Sequence, residues 1–175
     1  MDGDCMELIV PNKKYYKSYM SAINEYKCYN VKSYEFRNET QDVLFEQFEN
    51  DRIGKNLPKG YVNATYLWLV DGEEFVGEIS IRHRLTDALT RFGGHIGYGI
   101  RYSQWNKGRG TEMLSKALLY AKDVIGLDRV LLTCGDDNLG SARVIEKNGG
   151  MLQDKIINII NDKERLTRRY WIIIE

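Results

Sequence analysis

Apolar positions in this chain follow one spacing near the start and another later. In 13–27, Tyr16, Tyr19, Met20, Ile23 and Tyr26 fall near helical spacing, and Asn12 stands where a helix cap belongs. Before them, residues 6–10 alternate weakly and stop at Pro11, which predicts a short first strand. A second helix is expected over 40–52, with Val43, Leu44 and Phe48 on one side, and N-L-P-K-G-Y-V-N over 56–63 reads as a loop. From Thr65 the pattern changes to strands: 65–70, a D-G-E-E turn, then 75–83. Residues 85–92 read as a loop or short helical turn. A strand, a helix over 112–122, a strand over 129–134 and another helix follow. The chain closes with K-I-I-N-I-I-N, a D-K-E-R turn and T-R-R-Y-W-I-I-I as a hairpin. Helices interleaved with hairpins at both ends predict an α+β, mixed-sheet domain.

The most informative segment is 95–111, H-I-G-Y-G-I-R-Y-S-Q-W-N-K-G-R-G-T. A strand that turns through K-G-R-G into a helix leaves main-chain N–H groups at the helix start, where a phosphate is held. Gly108 and Gly110 let the backbone approach a bulky anion, and Lys107 and Arg109 add positive charge where the helix dipole already favours anions. The segment lacks the G-K-[S/T] ending of a nucleotide P-loop and contains no G-x-G-x-x-G. An ordinary strand–turn–helix with glycines for tight packing is the competing reading.

Farther on, R-V-L-L-T-C over 129–134 leads into D-D-N-L-G-S-A-R-V-I-E-K-N-G-G over 136–150. Together the two segments resemble the acetyl-CoA-binding core of the GNAT superfamily of N-acetyltransferases. That family's loop motif, Q/R-x-x-G-x-G/A, is matched here at Asn106, Lys107, Gly108, Arg109 and Gly110, whereas its first position is Trp105. V-G-E-I-S-I-R-H over 76–83, G-G-H-I-G-Y over 93–98 and the closing R-R-Y-W-I are similar to one subgroup of predicted acetyltransferases of this superfamily. The resemblance implies a mixed, mostly antiparallel sheet flanked by helices, in a single domain over 1–175 with its cofactor core at about 93–150. It implies acetyl-CoA as co-substrate and no metal. It also implies a pantetheine arm against main-chain groups around Tyr98 and Ile100, a pyrophosphate on the loop from Asn106 to Thr111, and further contacts from Asn138 and Ser141.

Acetyl transfer to an amine requires a deprotonated nitrogen. His95, one of two histidines, opens the strand into the loop, and its unperturbed pKa of about 6.5 suits a general base. Glu78, on the preceding strand, is the competing base, acting directly or through water. A histidine satisfied by a carbonyl and a solvent-facing strand carboxylate are the structural alternatives. His83, in I-R-H-R, suits anchoring of a loop or an anionic group better than proton transfer. Many family members protonate the leaving thiolate with a Tyr seven residues after the motif Asn, but that position is Ile145 here. Water, Ser141 or another tyrosine remains for that role. Cys134 has no His or Asp partner in a recognisable arrangement, which favours an inert strand thiol over an acyl carrier.

The remaining composition narrows partners rather than chemistry. With 25 basic and 25 acidic side chains the formal net charge is zero, so no nucleic-acid surface is expected. Hydrophobic residues at 43% and charged residues at 29% are a globular balance. No run is long enough to span a membrane, none at the start resembles a signal peptide, and three irregularly spaced cysteines suggest reduced thiols, so a cytoplasmic location is expected. Twelve tyrosines, many in the first helix, suit an amine or peptide pocket as well as packing. What the resemblance implies is an N-acetyltransferase acting on a primary amine in a ternary complex, and the composition leaves amino acid, polyamine, aminoglycoside and peptide N-terminus all open as acceptors. A non-catalytic acyl-CoA-binding or regulatory domain is the alternative, and a longer acyl chain a third reading. Paired strand edges and exposed aromatics make a homodimer an expectation.

Overall fold

Why a sheet with two buried faces forms is visible in its second strand, A-T-Y-L-W-L-V-D, where nearly every position is apolar. Leu67 and Leu69 point to one side and Trp68 and Val70 to the other, and all four are buried. The computed structural model describes residues 6–175, so Cys5 lies outside the described residues. Its strands are β1 (Glu7–Ile9), β2 (Ala64–Asp71), β3 (Glu74–Arg82), β4 (Ile96–Ile100), β5 (Arg129–Gly135), β6 (Met151–Ile160) and β7 (Lys163–Ile173). Its α-helices are α1 (Tyr16–Cys28), α2 (Gln41–Ile53), α3 (Asp87–Arg91), α4 (Arg109–Tyr120) and α5 (Leu139–Lys147).

The seven strands run in the order β1-β2-β3-β4-β5-β7-β6, antiparallel except for the β4–β5 pair. The mixed, mostly antiparallel sheet expected from the sequence is therefore present. Tyr19, Ala22, Leu44 and Phe48 from α1 and α2 close one face over Trp68, Val70 and Phe75. Met113, Leu114 and Ala117 from α4, with Ile145 from α5, close the other over Leu67, Leu69, Ile79, Ile81 and Ile96. No helix among the described residues is long and apolar enough to cross a membrane.

The parallel pair is what shapes a site. β4 stays with β3 as far as Gly77↔Ile100, and β5 stays with β7 along its whole length, from Arg129↔Ile173 to Gly135↔Thr167. Between β4 and β5 the register is confined to Ile96↔Leu132, so the two halves of the sheet part beyond that point. The joint is tight: His95 N–H donates to the Leu131 carbonyl at 2.7 Å, and a side chain on Gly94 (φ +61°) would run into the Leu131 main chain. This close approach is the physical reason for glycine in G-G-H-I-G-Y.

Element ends depart from expectation in places. The first helix begins with a 3-10 turn, Lys13–Tyr15, in which Asn12 Oδ1 accepts from Lys14 N at 3.0 Å. The turn expected at D-K-E-R sits instead at Asn161 and Asp162, both left-handed (φ 50° and 59°), with Ile160↔Lys163 already paired. Two left-handed central residues make the turn that matches strand twist, and Asn and Asp tolerate that conformation. The strands consequently run longer than their apolar runs.

Candidate active site

The loop between β4 and α4 is built from both sides. Arg101 Nε and the Ser103 main-chain N–H donate to the Glu25 carboxylate of α1 at 2.6 and 3.0 Å, which fixes the loop to the first helix. Asn106 (φ 60°) and Gly108 (φ 76°) take left-handed conformations and bend the chain into α4. The first helical bond belongs to Glu112, which donates to the Gly108 carbonyl at 3.1 Å, so the amides of Gly110 and Thr111 lie ahead of it at the helix start. A Cβ on Gly108 would meet nothing within 4 Å, which leaves open space over the turn. A cavity of about 490 Å³ adjoins it, bordered by Gly108, Thr111, Lys116, Lys147 and Asn148.

The two cations of K-G-R-G are otherwise engaged. Lys107 Nζ donates to the Ser103 carbonyl at 2.9 Å, and the Arg109 guanidinium turns back toward Asp71 of β2 at 4.0 Å. The cavity beside the open turn is also lined by Lys147 and by Lys116, the latter 3.7 Å from Glu112, none of which the sequence reading singled out. Trp105, at the motif's first position, donates from Nε1 to the Ile100 carbonyl at 2.8 Å, and Tyr26 Oη donates to the same oxygen at 2.7 Å.

On β4 the main-chain groups of alternate residues face opposite neighbours. Arg101 N–H bonds to Val76 on the β3 side, and Gly99 and Gly97 fall in phase with it. Tyr98 and Ile100 therefore turn their amides toward β5, which has already parted from β4. Across this opening, Tyr98 Oη lies 2.8 Å from Ser141 Oγ at the start of α5. Asn138 caps that helix, its Oδ1 accepting from Ser141 N at 3.1 Å. Cys134 is buried nearby, and burial pushes its thiol up to about 11. Ile145 is a fully buried core residue.

The two candidate bases are not brought together. His95 stands at the closed end of the β4–β5 pair. There its Nδ1 accepts from Leu131 N at 2.9 Å, and its ring lines a separate cavity of about 580 Å³ with Arg129 and Trp171. Burial, with Arg82 and Arg129 nearby, holds it down to about 4. With Nδ1 accepting, the ring proton sits on Nε2, and no lone pair is left to take a proton from an amine. The expectation of His95 as base thus meets a geometry opposed to it. His83 lies against Thr65 Oγ1 at 2.8 Å.

Glu78 is also not the solvent-facing carboxylate that its strand position allows. It is 1% exposed, on the α1–α2 face of β3, in register with Gly99, about 13 Å along the strand from the His95 level. Trp68 Nε1 donates to Oε2 at 2.8 Å and Tyr34 Oη to Oε1 at 2.9 Å. Burial nevertheless raises Glu78 to about 7, against the two hydrogen bonds and Arg37, which lower it. Such a carboxyl takes up or releases a proton near neutrality. Tyr34 and Trp68 escaped sequence reasoning, Tyr34 because the segment 29–40 carries no periodic pattern at all.

Residues 22–151 match the family described as acetyltransferase (GNAT) domain. The chain belongs to the GNAT acetyltransferases. A search of curated protein sequences found no match. Among solved structures, the fold is similar to that of the microcin C7 self-immunity acetyltransferase MccE in complex with acetyl-CoA and AMP. That match has a TM-score of 0.71 and 22% identity and covers 97% of this chain and 92% of the other. It is similar to RimL, a ribosomal L7/L12 alpha-N-protein acetyltransferase in complex with coenzyme A, with a TM-score of 0.70, 18% identity, and coverage of 97% and 94%. It is likewise similar to a spermidine N-acetyltransferase SpeG chimera from Vibrio cholerae and hSSAT, with a TM-score of 0.65, 16% identity, and coverage of 96% and 95%.

Proposed function

We propose that this acetyltransferase moves an acetyl group from acetyl-CoA to a primary amine by direct attack within a ternary complex, with Glu78 as the base. The carrying observation is the opening between β4 and β5, which runs from the last paired residues, Ile96 and Leu132, toward the glycine turn at the start of α4. An extended pantetheine arm matches the edge where the amides of Tyr98 and Ile100 face the opening, the Ile100 carbonyl being taken by Trp105 and Tyr26, and a pyrophosphate matches the helix start at Gly108 to Thr111, where amides and dipole favour an anion. Lys147 supplies nearby positive charge, Lys116 being paired with Glu112. Solved relatives of the same fold hold acetyl-CoA or coenzyme A, which supports the choice of co-substrate.

On the opposite face, Glu78 lies in register with Gly99, next to the strand edge that would hold the thioester. Its raised pKa lets it accept a proton from an amine and release it again near neutral pH. A CoA thiol, ionising near ~8.5 like a free cysteine, leaves without a dedicated acid, consistent with Ile145 at the family's tyrosine position. Peptide N-termini and polyamines lead the acceptor classes, because relatives are described as acetylating a ribosomal protein and spermidine. The test is CoA release with acetyl-CoA and a panel of a serine-initiated peptide, spermidine, an aminoglycoside and free amino acids. Turnover with one amine class that drops on Glu78→Gln is expected. Full activity in that variant would remove Glu78 as base.

A further inference from the structure

Glu78 is shielded from any acceptor. Both of its oxygens already accept hydrogen bonds, and the side chain is 1% exposed. Of its two donors, Trp68 is fully buried, whereas Tyr34, in the segment between α1 and α2, is partly exposed as a residue. The Tyr34 ring lies against the Gly99 main chain so closely that a Cβ at position 99 would run into it. It is braced edge-on by Phe36 at 5.1 Å. Gly99 is the register partner of Glu78 and sits between Tyr98 and Ile100, whose amides face the β4–β5 opening. The phenol therefore stands between the buried carboxylate and the strand that borders the cofactor gap.

We propose that the acceptor amine meets the Tyr34 hydroxyl rather than Glu78, and that Tyr34 relays the amine's proton to Glu78. The proposal rests on the reading of Glu78 as base. The ammonium N–H bond breaks and its proton joins the phenol oxygen, while the phenol's own proton moves to Glu78 Oε1. Tyr34 ends as it began, Glu78 is neutral, and the nitrogen holds a lone pair. That pair forms the C–N bond, the C–S bond breaks, and the nitrogen's next proton goes to the departing sulfur. The products are the amide, CoA thiol and protonated Glu78, which returns its proton to solvent by the same route.

A phenol is suited to this step because it donates and accepts through one atom. Burial and the neighbouring Glu78 raise Tyr34 well above the ordinary phenol range, so it stays protonated between turnovers. The other ionisable groups around Glu78 are Arg37, Tyr19 and Tyr66. Arg37 is tied to Asp51 at 2.5 Å and to Tyr66 Oη at 2.9 Å, and Tyr19 donates to the Arg37 carbonyl at 3.1 Å. Each has a partner of its own, which leaves Tyr34 as the hydroxyl bonded to the carboxylate.

The experiment compares Tyr34→Phe, Glu78→Gln and the double variant in the full chain, with spermidine, a serine-initiated peptide and ethylamine as acceptors. Tyr34→Phe keeps the ring against Gly99 and removes only the hydroxyl, so acetyl-CoA affinity is expected to stay unchanged. Turnover should fall by about tenfold or more in Tyr34→Phe and about 10²-fold in Glu78→Gln, with the double variant no worse than Glu78→Gln. Rates in mixtures of light and heavy water should curve in the wild type, as for two protons in flight, and become linear in Tyr34→Phe. Loss of activity in Glu78→Gln with Tyr34→Phe near wild type, or a linear wild-type dependence, overturns the relay and leaves the base. An active Glu78→Gln overturns the base itself.

Discussion

Trp68 and Glu78 face each other across β2 and β3, and the fully buried indole donates to the carboxylate at 2.8 Å. That bond favours the charged carboxylate, opposing the burial that raises Glu78 to about 7. In Trp68→Phe the donor is gone and the carboxyl ionises only at higher pH. The acid limb of the kcat/KM profile should move upward, with a loss of about 1–3 kcal/mol of stability from the unpaired Oε2 and the space left by the indole. A profile that stays in place would separate Glu78 from catalysis.

The same carboxyl ties activity to stability. Its folded-state pKa, about 7, lies above the ordinary 4.5, so the folded chain binds this proton more tightly than the unfolded chain. The stability contributed by Glu78 is full below 4.5 and is lost as pH rises through about 7. Glu78→Gln has no such loss. Its stability relative to wild type should improve between pH 4 and pH 8 by on the order of 3 kcal/mol, while turnover falls about 10²-fold. Denaturant unfolding at the two pH values reads the difference between the chains.

Much of this arrangement is legible in the sequence. The apolar runs of β2 and β3 and the glycine turn into α4 are local signals, and the structure reproduces them with shifts of a few residues. The parting of β4 from β5 is not local, because it depends on which neighbour each strand keeps: β3 for β4 and β7 for β5. His95 misleads for the same reason. Its Nδ1 is committed to an amide 36 residues away, a contact no spacing announces. Lys107 and Arg109 carry the charge expected of a phosphate loop, but their side chains find partners at Ser103 and Asp71.

His95 supplies the opposite pH signature. Burial lowers it from 6.5 to about 4, so its contribution to stability is present above 6.5 and is lost as pH falls through about 4. His95→Asn places an amide oxygen near the Nδ1 position, where it can accept from Leu131 N–H. Turnover should stay within about threefold of wild type, because only a base needs the imidazole, and the stability loss on acidification should shrink. A fall of about 10²-fold with an altered pH profile would restore His95 as the base.

Gly108 tests the phosphate end. Space over it is open, so a larger residue does not collide with the protein, although φ +76° strains any side chain there by about 1–2 kcal/mol. A bound pyrophosphate would fill that space. Gly108→Val should weaken acetyl-CoA by more than about tenfold in calorimetric titration, a loss above about 1.4 kcal/mol, while the folded fraction at 25 °C is kept. Unchanged affinity would move the phosphate site off the α4 start.

Cys134 decides between direct and two-step transfer. It ends β5 beside the opening, where a thiol is placed to be considered as an acyl carrier. Burial raises it to about 11, so almost none is thiolate at neutral pH, and the neutral thiol, unlike the thiolate, is a poor nucleophile. No carboxylate or imidazole is hydrogen-bonded to it among the described residues, whereas the Tyr34–Glu78 pair on the other face offers a proton route for an amine that attacks the thioester itself. Cys134→Ala should keep most of the turnover, with a modest stability cost for a buried side chain. Initial-rate lines against acetyl-CoA and acceptor should intersect, as a ternary complex requires. Parallel lines, or an acetylated Cys134 trapped without acceptor and seen by mass spectrometry, would replace direct attack with an acyl-enzyme.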